Sequence, residues 1–247
     1  MRYEEFTIEG RNAVMEALRA GKTIDRLFVL DGCQDGPVKS ITREAKKTDA
    51  IITYVKKERL DQLSQTGKHQ GVMAYAAAYE YAEVEDILAA AREKNEAPFI
   101  ILLDNIEDPH NLGAIIRTAH QAGAHGVIIP KRRAVGLTAT VAKTSAGAIN
   151  YLPVAKVTNL SVTIDELKEK GLWFVCADME GQLMYQLNLK GAIGLVIGSE
   201  GEGVSRLVKE KCDYTAKIPM FGKVDSLNAS VAMGVMAYEI VRQRIGK

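Results

Sequence analysis

Five consecutive apolar residues, Phe99-Ile100-Ile101-Leu102-Leu103, run straight into Asp104-Asn105. A strand with one wet face alternates apolar and polar side chains. A run that is apolar throughout belongs to a strand covered on both faces, which is the condition of strands inside parallel sheets flanked by helices. The surrounding sequence repeats the theme. Gly126 to Pro130, Leu172 to Ala177 and Gly194 to Ile197 read as further strands, and a helix from about Leu112 to Ala122 stops at Gly123. Strands alternating with helices predict an α/β domain with a parallel sheet over residues 98–247. The last helix spans about Ala229 to Ile245. Its Val231, Ala232, Val235, Met236 and Ile240 cover more than one stripe, so it is expected to pack against more than its own sheet, a second subunit being one candidate.

The first 80 residues read as a separate, smaller α/β domain. Val14, Ala17 and Leu18 recur at helical spacing before Gly21. Arg26 to Leu30, Ile51 to Val55 and Gly71 to Tyr79 read as strands, a polar helix from about Pro37 to Lys47 starts with proline in its first turn, and Leu60 and Leu63 fit a short helix. Between the two domains, residues 81–97 read as an acidic, alanine-rich helical linker that ends at Pro98.

Bulk properties narrow the class. A net charge of +1 gives no global basic field, so a nucleic-acid partner would need a local patch, and Lys131-Arg132-Arg133 is the densest triplet. Cys33, Cys176 and Cys212 are widely spaced with no CxxC, which argues against a disulfide framework or a zinc cluster. No signal peptide or membrane-length apolar run is visible, so the expected location is the cytoplasm. His69, His110, His120 and His125 have no metal-ligand spacing and read as structural.

Three short segments sit where apolar strands give way to loops, the edge at which open α/β sheets bind ligands. They are Asp104 to Arg117, Gly198-Ser199-Glu200-Gly201-Glu202-Gly203, and Asp225-Ser226-Leu227-Asn228-Ala229-Ser230. The glycine spacing at 198, 201 and 203 fits neither the dinucleotide fingerprint nor a P-loop. Glu200 and Glu202 would repel a phosphate, so a neutral or cationic ligand, such as a sulfonium or an ammonium group, suits the loop better. A plain helix N-terminal turn is the competing explanation. Asn111 suits an N-cap, and Ser226, Asn228 or Asp225 would cap the last helix. Arg117 needs a partner if covered: a surface pair with Glu107 or Asp108, or an RNA phosphate or ribose.

Taken together, these segments resemble motifs one, two and three of the SpoU (TrmH-type) RNA ribose 2′-O-methyltransferases of the SPOUT superfamily. Asn111-Leu112-Gly113 with Arg117 matches the first, Ile197 to Gly203 the second, and Ser226 to Ser230, preceded by Ile218-Pro219-Met220, the third. The first 80 residues resemble the L30e-like substrate domain of that family through Glu9-Gly10-Arg11-Asn12-Ala13-Val14 and His69-Gln70-Gly71-Val72. The layout is most similar to bacterial enzymes that methylate a guanosine of 23S rRNA. The resemblance implies a C-terminal domain with a trefoil knot, S-adenosylmethionine held near Gly198, Ile218, Met220 and Leu227, a homodimer, and RNA rather than DNA or a membrane as partner. It also implies catalytic roles for Asn111, Arg117, Glu200, Ser226 and Asn228, without a metal. Arginine is a poor general base, so Arg117 is expected to orient the hydroxyl and stabilise the developing alkoxide, with Glu200 holding Arg117 and the proton leaving to an RNA phosphate or water. Two alternatives stay open: a tRNA ribose 2′-O-methyltransferase, and a non-catalytic RNA-binding ribosome-assembly factor.

Overall fold

The computed structural model describes residues 7–33, 35–48, 50–223 and 226–246. The chain divides into two compact units. One gathers the first 80 residues with Gly136–Thr140, and the other comprises Tyr81–Val135 and Val141–Lys247.

In the first unit, strands β1 (Thr7–Glu9), β2 (Ile24–Leu30), β3 (Ile51–Val55) and β4 (Val72–Ala76) form a sheet of order β1-β4-β2-β3. Strand β2 is parallel to β3 and antiparallel to β4. Helices α1 (Arg11–Arg19) and α2 (Gly36–Ala45) cover one face, where Val14, Ala17, Val38 and Ile41 meet Leu27, Val29 and Val72. Helix α3 (Lys57–Leu63) covers the other through Leu60, packed on Phe28 and Met73. Helix α2 starts where its composition says it should: the Asp35 carboxylate accepts from the Val38 amide at 3.0 Å, with Pro37 in the first turn.

The second unit begins with α4 (Val84–Glu93), which lies inside the stretch expected to be a linker. Its Ile87, Leu88 and Ala91 are buried, and Ile87 and Leu88 belong to the main core of this unit. An amphipathic helix with an apolar stripe gains more from packing than from acting as a tether, so residues 81–97 are part of the packed unit. The chain continues through β5 (Phe99–Leu103), α5 (Pro109–Gln121), β6 (Gly126–Pro130), α6 (Ala139–Thr144), β7 (Val154–Val157), α7 (Leu160–Glu169), β8 (Trp173–Leu183), β9 (Ile193–Ile197), α8 (Arg206–Lys211), β10 (Tyr214–Lys217) and α9 (Ala229–Ile245). The sheet is parallel throughout, in the order β10-β8-β9-β5-β6-β7. Every residue of β5 and of β9 is buried, as the unbroken apolar runs require. Helices α4, α7 and α8 pack on one face around Ile100, Leu102, Phe174 and Val196. Helices α5 and α9 pack on each other and on β6, β8 and β9.

The direction in which the chain leaves the sheet positions the site. After β5 it turns to α5. After the neighbouring strand β9 it turns to α8 on the other face. Adjacent parallel strands whose connections leave to opposite faces form a topological switch point, with a crevice outside their carboxyl ends.

Candidate active site

Asp104 ties this switch point together. It follows the wholly apolar β5, is 6% exposed, and its amide donates to the Ile197 carbonyl at 2.8 Å. Its carboxylate accepts from the Ser205 amide, also at 2.8 Å, where α8 begins. A buried carboxylate is tolerable because the orphan amide of a helix start neutralises it.

The loop after β9 folds back on itself. The Gly203 amide donates to the Ser199 carbonyl at 2.9 Å, and the Ser199 hydroxyl accepts from the Glu202 amide at 3.2 Å. Gly198 is required by the closeness of that return: a Cβ there would lie 2.0 Å from the Gly203 carbonyl carbon and 2.2 Å from the Val204 nitrogen. Gly113 in α5 answers a similar demand, since a Cβ would sit 1.8 Å from the Thr144 hydroxyl of α6.

The turn presents Glu200 to two asparagines far away in sequence. The Asn111 side-chain amide donates to Glu200 Oε1 at 3.1 Å, and the Asn228 amide donates both to Glu200 Oε1 at 2.5 Å and to Asn111 Oδ1 at 2.9 Å. The Ala229 backbone amide adds a longer contact of 3.4 Å to the same carboxylate. All three segments singled out in the sequence therefore meet at one carboxylate.

Two expectations change here. Asn111 does not cap α5. Asp108 does, accepting from the His110 amide at 2.9 Å with Pro109 opening the helix, which leaves the Asn111 amide free to face Glu200. Glu200 does not hold Arg117 either: its Oε1 accepts from the two asparagines, and among the described residues no bond joins it to Arg117. Arg117 is exposed on α5, six residues or about 9 Å along the helix from Asn111, with no ion pair among the described residues. Asn228 does cap α9, accepting from the amides of Ser230 at 3.0 Å and Val231 at 3.4 Å. Asp225 lies outside the described residues.

Beside this cluster opens a crevice of about 420 Å³, walled by residues 177–180, 197–203 and by residues 216, 218, 220, 226, 227, 229 and 232. Gly198, Ile218, Met220 and Leu227 line it, as do Glu200 and Ser226; Asn111, Arg117 and Asn228 do not. The walls combine apolar side chains and glycine backbone with the acids Asp178, Glu180, Glu200 and Glu202. Asp178, which the sequence did not single out, is also in the lining. Burial pushes its carboxyl up, but hydrogen bonds from Lys209, at 2.9 Å, and from the Glu180 amide outweigh this and hold it below the usual range. Nothing here resembles a phosphate cradle. A flat apolar group and a positively charged head suit the crevice. Lys131-Arg132-Arg133 follow β6 at the same edge of the sheet.

Two of the histidines serve the framework. His125 is 1% exposed and accepts from the Phe99 amide at 3.0 Å, and His69 accepts from the Gly71 amide at 3.0 Å. Asp104 and Asp178 are the site residues whose roles the sequence did not disclose. The cue for Asp104 was present, an acid immediately after a strand with no other polar residue. Asp178 has no local cue, since its partner Lys209 is distant in sequence.

A parallel sheet with a switch-point crevice, together with a second α/β unit, defines a two-unit α/β enzyme fold. Residues 98–238 match the SpoU rRNA Methylase family, and residues 7–82 match the RNA 2′-O ribose methyltransferase substrate binding domain. The chain belongs to the SpoU rRNA Methylase family. It is 53% identical over 237 residues to the TrmH-family protein YacO of Bacillus subtilis (strain 168), covering 95% of this chain and 94% of that one. Among solved structures it resembles the SpoU methyltransferase AviRb of Streptomyces viridochromogenes in complex with its cofactor AdoMet, with a TM-score of 0.62 and 25% identity over 98% of this chain and 92% of that one. The TrmH/SpoU tRNA modifying enzyme of A. aeolicus gives a TM-score of 0.55 and 29% identity over 60% of this chain and 76% of its own. Among the described residues no helix is long and apolar enough to cross a membrane.

Proposed function

We propose that this chain methylates a ribose 2′-hydroxyl of RNA, with S-adenosylmethionine as donor, and that the favoured substrate is a guanosine of 23S rRNA. The observation that carries the reading is the meeting of Asn111, Glu200 and Asn228 at the mouth of a crevice whose walls suit that donor. Gly198, Ile218, Met220 and Leu227 would hold it by backbone and apolar contact. When bound, the donor supplies an electrophilic methyl group on a sulfonium. Glu200, fixed by its amide partners, places negative charge at the mouth, where a cationic head is favoured. Arg117 stands outside the crevice lining with its guanidinium free. In this proposal it meets RNA arriving from solvent, orients the hydroxyl and stabilises the alkoxide as the proton departs to a phosphate or water. Ser226, at the crevice, is assigned to the same hydroxyl.

The homodimer and the trefoil knot implied by the resemblance belong to this proposal, as does a cytoplasmic location. Val231, Val235, Tyr238 and Ile245 of α9 are 36–76% exposed, and an apolar row of that kind on a packed helix supports a subunit contact. The rRNA preference rests on the first unit, which matches a substrate-binding domain. The test is methyl transfer from labelled donor to purified 23S rRNA and to bulk tRNA, followed by mapping of the ribose methyl. Label in rRNA supports the reading. Label in tRNA alone replaces it with the tRNA alternative, and absence of donor binding in equilibrium dialysis, with no transfer to either RNA, supports the assembly-factor alternative.

A further inference from the structure

The first unit carries a second groove that the methyl-transfer reading leaves unused. It has a volume of about 550 Å³, lies between α2 and the end of β3, and is lined by Lys39, Thr42, Arg43, Lys46 and Tyr54, with Asp31 at its rim. Lys39, Arg43 and Lys46 recur at i, i+4 and i+7, so they form one stripe along α2, and all three are exposed. Like charges one turn apart destabilise a helix, and neighbouring acids relieve the stripe only at Arg43, through a long contact. Asp35 is taken by Arg11 at 2.6 Å, and Glu44 is held by Lys47 at 2.8 Å, with Arg43 only at 3.8 Å. Lys39 and Lys46 have no acidic partner among the described residues.

Tyr54 faces this stripe. It stands on β3, the edge strand of its sheet, on the same face as Ile52, which packs against the α1–α2 core. The residue is 55% exposed. An aromatic ring left in solvent beside a row of exposed cations is the arrangement used to bind single strands: the ring stacks a base and the cations track the phosphates. A duplex hides its bases and cannot use the ring.

We infer that this groove holds a single-stranded segment of the RNA substrate, one base on Tyr54 and successive phosphates along Lys39, Arg43 and Lys46. The inference rests on the reading that the chain acts on RNA, and it names the surface and the form of RNA that the first unit takes.

The test uses the full chain, a fluorescein-labelled single-stranded RNA of about 12 nucleotides, and the same sequence as a duplex, followed by anisotropy at several salt concentrations. Tyr54→Ala is expected to weaken single-strand binding about tenfold or more, because stacking on one ring contributes that much, while Tyr54→Phe keeps it. Changing Lys39, Arg43 and Lys46 together to glutamine is expected to lower the slope of log affinity against log salt by about 2, roughly 0.7 for each phosphate no longer neutralised. S-adenosylmethionine affinity, measured by calorimetry, stays at the wild-type value in every variant, and an unchanged melting profile of the full chain shows that the first unit folds. Wild-type RNA affinity in Tyr54→Ala, or equal weakening for single strand and duplex, overturns the inference by reducing the groove to a general polyanion surface. An unchanged salt slope in the triple variant overturns it as well. Failure of the wild-type chain to bind S-adenosylmethionine instead defeats the proposed reaction and leaves the anisotropy result to be read separately.

Discussion

Gly198→Ala is the most demanding single substitution for this account. The new Cβ would meet the carbonyl carbon and oxygen of Gly203 at 2.0 and 2.1 Å and the Val204 nitrogen at 2.2 Å. All three are backbone atoms, so no side-chain rotation relieves the overlap, and the Ser199–Gly203 turn must open. Overpacking costs about 1–3 kcal/mol, and a clash with backbone belongs at the upper end. About 3 kcal/mol corresponds to a fall in Tm of roughly 6–12 °C for a chain of this length. Opening the turn also moves Glu200 away from Asn111 and Asn228 and widens the crevice, so affinity for S-adenosylmethionine should drop at least about tenfold, the equivalent of only about 1.4 kcal/mol. Gly201→Ala is the matched control: it lies in the same loop and its Cβ would meet nothing within 4 Å, so both quantities should stay near wild type. Calorimetric melting and titration with S-adenosylmethionine read both effects. A Gly198→Ala protein with wild-type Tm and affinity would show that the close return of this loop is not what shapes the crevice.

Asp104→Ala should destabilise the second unit by about 1–3 kcal/mol, because it strands the half-buried Ser205 amide, while Asp104→Asn keeps an acceptor and recovers much of the stability; denaturant titration separates the two. Glu200→Ala should reduce methyl transfer at least about tenfold with little change in melting, since the residue is exposed; a matching fall in Tm and rate would make its role purely structural. Burial holds the His125 imidazole below its ordinary range, with the Glu96 hydrogen bond opposing. The unfolded chain therefore takes up the proton first, so this contribution is fully present above pH ~6.5 and is lost as pH falls below it. Urea midpoints at pH 7.5 and 5.5 should diverge less in His125→Gln than in wild type. Arg117→Lys should lose methyl transfer while keeping donor affinity, because lysine lacks the planar fork; transfer near the wild-type rate would remove Arg117 from the mechanism.

The elements legible in the sequence are those whose residues carry their own signal. Ile51–Val55, Phe99–Leu103, Gly126–Pro130 and the helix Ala229–Ile245 stand where apolar runs and capping residues place them. Strand β10 gives no such signal, because only Ala216 of its four residues is buried, which leaves no pattern to read. Helix α7 has a readable cue in Asn159, whose side chain accepts from the Ser161 and Val162 amides at its start. The expected start of α5 falls three residues late because Asn111 competes with Asp108 as the cap, and Asp-Pro at 108–109 is the stronger signal. At the site, the order of the segments is readable but the bonding among them is not. Glu200 and Asn111 are 89 residues apart, and Asn228 and Asn111 are 117 apart. Which of Arg117 or the asparagines the carboxylate faces depends on helix phase after α5 is docked, and that phase follows from where the helix starts.

The crevice between the loops after β9 and β10 should enclose one methyl donor. A crystal structure of the full chain grown with S-adenosylmethionine tests this most directly. The donor should lie between residues 197–203 and the side chains of Ile218, Met220 and Leu227, with its sulfonium on the side of Glu200. A donor bound elsewhere on the chain, or a crevice closed to it at saturating concentration, would contradict the account.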